Sequence, residues 1–179
     1  MGRAASNIAL ECALQTRPNI CLISEEIEAN GYTLAQITKQ VVDVIVERKR
    51  NNKDYGLVLL AEGLIEFIPE FNALIKEINE ILAAGNGVQA TEESMMRFLS
   101  QENKTVFSYL PDSIKSQLLL DRDPHGNVQV AKIDTERLLA QCVAAELEKL
   151  RAQGLYDGNF SSQFCAFGVC TALENWLCK

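Results

Sequence analysis

The chain has 179 residues, of which 47% are hydrophobic and 23% charged, with a formal net charge of −7. These values are typical of a globular domain and exclude wholesale disorder. The acidic balance argues against a nucleic-acid surface, which would carry a basic stripe. The sequence has no secretory leader and no apolar run of membrane-spanning length, so we expect a cytoplasmic protein with no membrane partner.

Cysteine and histidine usage limits the metal and catalytic chemistry. Six cysteines lie mostly in apolar runs and form no CxxC pair, a pattern typical of reduced, structural thiols. His125 is the only histidine, so the sequence offers almost no histidine for a His-based zinc site or a Ser-His triad. We predict no metal site in this chain, and we expect His125 to lie in a surface turn.

The first predicted elements are a helix and a strand. Residues 4–16 have helical spacing and are apolar around most of their circumference, which predicts a mostly buried helix. The run Arg17-Pro18-Asn19 ends it. A short continuous apolar run follows at about 20–24, typical of a parallel strand covered on both faces.

A second helix and a second strand follow, so that strands and helices alternate along the chain. Thr33 and Gln36 form a capping-box pattern ahead of an amphipathic helix over 33–50. A second buried strand is predicted at about 56–61, and Pro69 marks the start of another helix. Because strand, helix and strand alternate with short loops, the two strands are predicted to be parallel neighbours in an α/β fold.

The sequence predicts three regions. Residues 1–84 form the parallel α/β portion, and residues 85–160 have helical apolar spacing and are predicted to be a mainly helical insertion. Residues 161–179 are predicted to hold a return strand, near 163–167, and a divergent tail.

The first six residues, Met-Gly-Arg-Ala-Ala-Ser, fit two hypotheses. Met-Gly-x-x-x-Ser matches the N-myristoylation pattern. A glycine and an arginine ahead of a helix also suit a site for an anion, because the backbone can approach closely and the guanidinium binds phosphate. We favour the second hypothesis and expect Gly2 not to be acylated.

Glu62 is the second candidate site residue. With Gly63 it follows a buried strand, and open α/β sheets bind their ligands at the carboxyl ends of their strands. A carboxylate at that edge can accept hydrogen bonds from sugar hydroxyls. The alternative interpretation is a solvated loop glutamate.

Three stretches in order resemble the long-type, or plant-type, diphosphate-dependent phosphofructokinases. They are MGRAASNIALECALQTRPN at 1–19, LVLLAEGLIEFIPE at 57–70 and LLLDRDPHGNVQVAKIDTERLL at 118–139. The resemblance runs from Met1 to about Gly168, and the third stretch is most similar to the alpha, or regulatory, subunit of the heteromeric plant enzyme. It implies a phosphofructokinase-like parallel-sheet domain.

The resemblance also implies roles for four residues. Met1, Gly2 and Arg3 match a triplet that contacts fructose 6-phosphate, and Glu62 matches a glutamate that binds the sugar. Ala61 stands where the family usually has proline, which is expected to loosen the turn and keep the carboxylate.

Other parts of the family pattern are not found in this chain. The diphosphate-binding Gly-Gly-Asp-Asp loop and the Thr-Ile-Asp-Gly-Asp segment have no counterpart, and Phe167-Gly168 is followed by Val169 instead of the family's Tyr-Glu-Gly-Arg. We therefore expect a C-terminal-half fragment with no catalytic residues of its own, inactive and poorly stable alone.

The implied activity is reversible transfer of a phosphoryl group between diphosphate and the 1-position of fructose 6-phosphate, with Mg²⁺, in glycolysis and gluconeogenesis. The whole protein is expected to be a homo- or hetero-oligomer. One alternative is a non-catalytic regulatory subunit piece that pairs with a catalytic chain; another is an N-myristoylated interaction protein.

Overall fold

The computed structural model describes residues 6–83, 91–122, 126–130 and 133–164. Within these ranges the chain forms eight α-helices, two strands and one 3₁₀ helix. In chain order they are α1 (Asn7–Thr16), β1 (Ile20–Leu22), α2 (Ser24–Asn30), α3 (Leu34–Arg50), β2 (Val58–Leu60), the 3₁₀ helix (Glu62–Phe67), α4 (Pro69–Ala83), α5 (Glu92–Phe98), α6 (Gln101–Tyr109), α7 (Asp112–Leu120) and α8 (Thr135–Ala152).

The two strands pair in parallel, which confirms the predicted α/β class. Ile20 lies opposite Val58 and Leu22 lies opposite Leu60. Each strand has three residues, fewer than predicted; β1 ends early because α2 begins at Ser24. The prediction that the second strand is buried is wrong, since all three residues of β2 are half-buried. The side chain of Asn19 extends the pairing beyond β1: its Oδ1 accepts a hydrogen bond of 2.8 Å from the backbone N–H of Leu57.

The crossover between the strands is the predicted capped helix. The hydroxyl of Thr33 accepts from the backbone N–H of Gln36, and the Gln36 side chain accepts from the backbone N–H of Thr33. At the other end, the Nε of Arg48 donates to the carbonyl of Tyr55 at 2.9 Å. The guanidinium also lies 5.2 Å from the centre of the Tyr55 ring. Both ends of α3 are therefore held, which places β2 beside β1.

Within the described part of 85–160, α5 to α8 are the regular elements, as the helical spacing predicted. Extended pairing in that part is limited to one antiparallel bridge between Arg122 and Val128. Residues 161–164 have no regular structure; the rest of the predicted return strand and the tail lie outside the described residues.

One hydrophobic core joins the α/β portion to the helices that follow it. Helix α8 packs on α3, and α6 packs on α4. The largest fully buried side chains come from both portions: Phe71, Phe107, Ile37, Leu64, Ile65, Ile68, Leu74, Ile78, Met95, Ile114, Leu118 and Leu138. The proposed division into three regions stays a prediction, since the helices and the sheet share this core.

The prediction that the first helix is mostly buried is wrong for the described residues. Helix α1 has no buried residue, and the side chain of Leu14 is 69% exposed. The helix packs along β1 and β2 with the half-buried Ala9 and Ala13, while no described element covers Leu10 and Leu14. Composition alone overestimated burial, because burial also requires a surface to pack against.

Candidate functional site

The two strands end at one edge of the sheet. Because Leu22 and Leu60 are the last residues of β1 and β2 and lie opposite each other, the residues that follow them share this edge, which we call the carboxyl edge. Ser24 begins α2 on one side, and Glu62 begins the 3₁₀ helix on the other. Ligands of open parallel sheets bind outside this edge.

The beginning of α1 lies at the same edge. Helix α1 precedes β1, and the hydroxyl oxygen of Ser6, the residue before α1, accepts a hydrogen bond of 2.9 Å from the backbone N–H of Ser24. Met1, Gly2 and Arg3 lie outside the described residues.

A second hydrogen bond ties Ser6 to α2. The backbone N–H of Ser6 donates to the Oε1 of Glu25 at 2.9 Å. Hydrogen bonding from the backbone N–H of Ser6, and next from that of Glu25 itself, lowers the pKa of the Glu25 carboxyl below its ordinary value. We call the two bonds that Ser6 makes to Ser24 and Glu25 the Ser6 clasp. Ser6 is 2% exposed, so the clasp is shielded from water at the serine.

Glu62 occupies the predicted position after β2. Ala61, just before it, is buried and extended, with φ −78° and ψ 142°. That φ lies within the range that a proline ring allows, about −65 ± 15°. Alanine therefore holds a backbone conformation that proline also allows. The side chain of Glu62 lies outside the described part, so its partners are not placed.

Ser24 brings a buried hydroxyl to the carboxyl edge. Ser24 is fully buried, and its hydroxyl has no hydrogen-bond partner among the described residues. Burying a hydroxyl without a partner costs about 1–3 kcal/mol.

Three residues at this edge were not predicted from the sequence: Ser6, Ser24 and Glu25. Local signals for them exist, since serine is common before a helix and acidic residues are common in a first turn. Both signals indicate where a helix starts. Neither indicates that the starts of two helices bond to each other.

Two further findings concern metal binding and membrane insertion. Within the described ranges, no three His, Cys, Asp or Glu side chains come together as metal ligands would. None of the described helices is both long enough and apolar enough to cross a membrane.

Known proteins are similar in sequence to this chain along nearly its whole length. The chain is 51% identical to the pyrophosphate–fructose 6-phosphate 1-phosphotransferase subunit beta 2 of Arabidopsis thaliana, over 168 residues that cover 94% of this chain and 29% of the relative. It is 50% identical to the pyrophosphate–fructose 6-phosphate 1-phosphotransferase of Treponema pallidum, over 175 residues that cover 94% of this chain and 30% of the relative. No protein-family model matches the chain.

Both subunit types of the plant protein are similar to the chain. The Arabidopsis alpha 2 subunit is 40% identical over 167 residues, covering 93% of this chain and 26% of the relative, so identity to beta 2 is higher over an almost equal length. The chain spans about three tenths of the length of the first relatives. Nearly the whole chain therefore corresponds to one segment of the pyrophosphate–fructose 6-phosphate 1-phosphotransferases, which confirms its resemblance to the diphosphate-dependent phosphofructokinases.

Proposed function

We propose that the chain forms the sugar-phosphate part of the active site of a diphosphate-dependent 6-phosphofructokinase. The observation that carries the proposal is the hydrogen bond from Ser24 to Ser6. It brings the start of α1, which follows Met1, Gly2 and Arg3, to the edge where Glu62 follows β2. The start of α1 and the start of the 3₁₀ helix, which follow or contain the residues proposed to bind the substrate, therefore lie at one edge of the sheet, and this supports the proposal.

Each proposed residue has a distinct task. The guanidinium of Arg3 binds the 6-phosphate through two parallel N–H donors, the arrangement in which arginine is strongest. Gly2 and Met1 bring the backbone close to the sugar phosphate, since glycine has no side chain to keep the ligand away. The carboxylate of Glu62 accepts hydrogen bonds from the sugar hydroxyls and fixes the orientation of the ring.

These contacts position the sugar for phosphoryl transfer from diphosphate to its 1-hydroxyl. Such a reaction depends mainly on positioning and charge stabilisation, so orienting the acceptor is a direct contribution to rate. The diphosphate-binding groups and the base belong to the rest of the longer polypeptide that the relatives represent. Mg²⁺ would stabilise charge on the phosphates, and the described residues offer no cluster that fits it.

We place the whole protein in the cytoplasm, as an oligomer that binds neither nucleic acid nor membranes. The names of the relatives include alpha and beta subunits, which supports assembly from more than one chain. No observation favours the regulatory-piece alternative, and identity is higher to the beta subunit than to the alpha subunit. The N-myristoylation hypothesis rests on its short pattern alone.

A chimera tests the proposal. The matching segment of the Treponema pallidum relative is replaced by this chain, and turnover is measured with fructose 6-phosphate and diphosphate. We expect turnover. We also expect Arg3→Ala to raise the KM for fructose 6-phosphate about 10- to 100-fold, the equivalent of losing a charge-assisted hydrogen-bonded pair.

Arg50→Ala is the matched control, because Arg50 is an exposed arginine at the end of α3, opposite the carboxyl edge. A soluble, folded chimera without turnover would overturn the proposal, as would an Arg3→Ala variant with unchanged kinetics. If the full graft is insoluble, a graft of residues 1–84 carries the same four residues and is held to the same outcomes.

A further inference from the structure

We propose that Cys12 on α1 and Cys21 on β1 form a reversible disulfide when they meet a low-molecular-mass disulfide such as oxidised glutathione. In the structure both are free thiols. The inference goes beyond the proposed function and does not depend on it.

The side chain of Cys21 points to the face of the sheet that α1 covers. Its neighbours in β1, Ile20 and Leu22, are buried in the hydrophobic core, whereas Cys21 is half-buried. Successive side chains of a strand point to opposite faces, so Cys21 points away from that core. Helix α1 packs on both strands and contributes no residue to the core. It therefore lies on the face that carries Cys21.

The two cysteines lie at the same level along the sheet. The hydrogen bond of 2.9 Å between Ser6 and Ser24 sets a common starting level at the carboxyl edge. Six residues of helix from Ser6 to Cys12 rise about 9 Å. Three extended residues from Ser24 back to Cys21 cover about 10 Å. Because α1 begins at the edge where β1 ends, both paths lead away from that edge by nearly the same distance.

The turn between α1 and β1 gives the same result from the other end. Only two residues separate Thr16, the last residue of α1, from Asn19, whose backbone N–H starts the pairing of the two chain segments. From Thr16, Cys12 lies about 6 Å back along the helix. From Asn19, Cys21 lies about 7 Å along the strand. Both ends of α1 thus place the two cysteines opposite each other, one on the helix and one on the strand.

The two thiols differ in exposure and influence each other electrostatically. Cys12 is exposed and precedes the half-buried Ala13, with which α1 meets the sheet. Partial burial raises the pKa of the Cys21 thiol, and the negative charges of the Cys12 thiolate and of Glu26 raise it further. An electrostatic effect between two thiols requires that they be close. Cys12 is therefore the thiol that a dissolved oxidant reaches first.

Two thiol–disulfide exchanges form the bond. The Cys12 thiol loses its proton, and its thiolate attacks one sulfur of oxidised glutathione and releases one glutathione thiolate. The Cys21 thiol then loses its proton, and its thiolate attacks the Cys12 sulfur of the mixed disulfide and releases the second glutathione. Two protein thiols are thereby oxidised, and the glutathione disulfide is reduced to two thiols.

The low burial of α1 lets the helix adopt the geometry that a disulfide needs. Bridged cysteines have Cα atoms within about 7 Å of each other. No residue of α1 is buried, so a small rotation of the helix toward the strand disrupts no core packing. Once formed, the bond fixes the middle of α1 to the sheet.

The experiment incubates the chain at low concentration with oxidised glutathione, in native buffer and in urea, then alkylates free thiols and digests with trypsin. Because Arg17 precedes Pro18, trypsin leaves residues 4–39 as one peptide, whose only cysteines are Cys12 and Cys21. We expect this peptide to lose two hydrogen atoms and to resist alkylation at both cysteines. The equilibrium constant for its disulfide should be at least about tenfold higher in native buffer than in urea, because folding raises the effective concentration of the two thiols.

Cys142→Ser is the matched control, because Cys142 is also a half-buried free cysteine, on α8, and it should leave the result unchanged. Cys21→Ser should instead retain one glutathione on Cys12. Equal equilibrium constants in both solvents, or glutathione left on Cys12 of the unsubstituted chain, would overturn the inference. Circular dichroism checks that the chain is helical in native buffer; if it is not, the chimera is held to the same outcomes.

Discussion

The carboxylate of Glu77 on α4 accepts a hydrogen bond of 2.7 Å from the backbone N–H of Ser100, the residue before α6. The hydroxyl of Ser100 donates to the same carboxylate at 3.0 Å, and the amide of Asn103 in the first turn of α6 donates to it as well. Ser100 makes no side-chain cap of its own helix. Glu77 therefore caps α6 from a neighbouring element and joins α4 to the helical portion.

Removal of this cap should destabilise the fold. We expect Glu77→Ala to lower the free energy of unfolding by about 0.5–2 kcal/mol, the usual cost of losing a helix cap, because water can reach the exposed donors once the carboxylate is gone. Urea denaturation at low protein concentration measures the change. Glu80→Ala on the same helix is the control, since Glu80 is exposed. An equal loss in both variants would show that charge on α4, and not the cap, is responsible.

The same carboxylate should make stability depend on pH. Partial burial would by itself raise the pKa of Glu77, but hydrogen bonds from Asn103 and Ser100 and the nearby Lys104 lower the pKa below its ordinary 4.5. A group with a lowered folded-state pKa stabilises the fold fully above the unfolded-state pKa and stops doing so as the pH falls through the folded-state value. Stability should therefore fall below pH 4.5, and less steeply in Glu77→Gln.

Two phenylalanines in neighbouring helices should differ sharply in their importance. Phe107 in α6 is fully buried, whereas Phe98 in α5 is 56% exposed. Phe107→Ala should cost about 3–5 kcal/mol, since it removes a buried ring and leaves a cavity. Phe98→Ala should stay within about 1 kcal/mol. Urea denaturation measures both changes. Comparable losses of unfolding free energy in the two variants would contradict the core that the α/β portion shares with the helices that follow it.

The exposed side of α1 should make the isolated chain associate. Leu10 and Leu14 are 45% and 69% exposed on a helix that no described element covers on that side. Apolar patches of several hundred Å² tend to be covered by another surface. We expect light scattering to show association that Leu10→Gln with Leu14→Gln reduces. Leu120→Gln, at an equally exposed leucine in α7, is the control. A monomeric, cooperatively unfolding parent chain would contradict the prediction.

The sequence could predict the elements that have strong local patterns. The apolar runs around Ile20 and Val58 and the Thr33 capping box lead to two parallel strands with a helix between them. Helix α2 and the 3₁₀ helix were missed because seven and six residues are too short to show a hydrophobic period.

The candidate site was predictable only in part. The position of Glu62 after an apolar strand was enough to predict that it follows the carboxyl end of β2. The Ser6 clasp joins residues 18 and 19 positions apart and depends on how α1 lies along the sheet. No local sequence pattern indicates how α1 lies along the sheet, and none indicates that Leu14 is exposed.

The parallel pairing of the strands has a consequence for synthesis. Asn19 and Leu57, which meet at the start of the sheet, are 38 residues apart in sequence. At about 5–20 residues per second, a ribosome makes β1 roughly 2–8 s before its partner. Helix α3, capped by its own residues, can form within about a microsecond of being made. For those seconds β1 is an unpaired edge, and its length of three residues limits how much of another chain it can bind meanwhile.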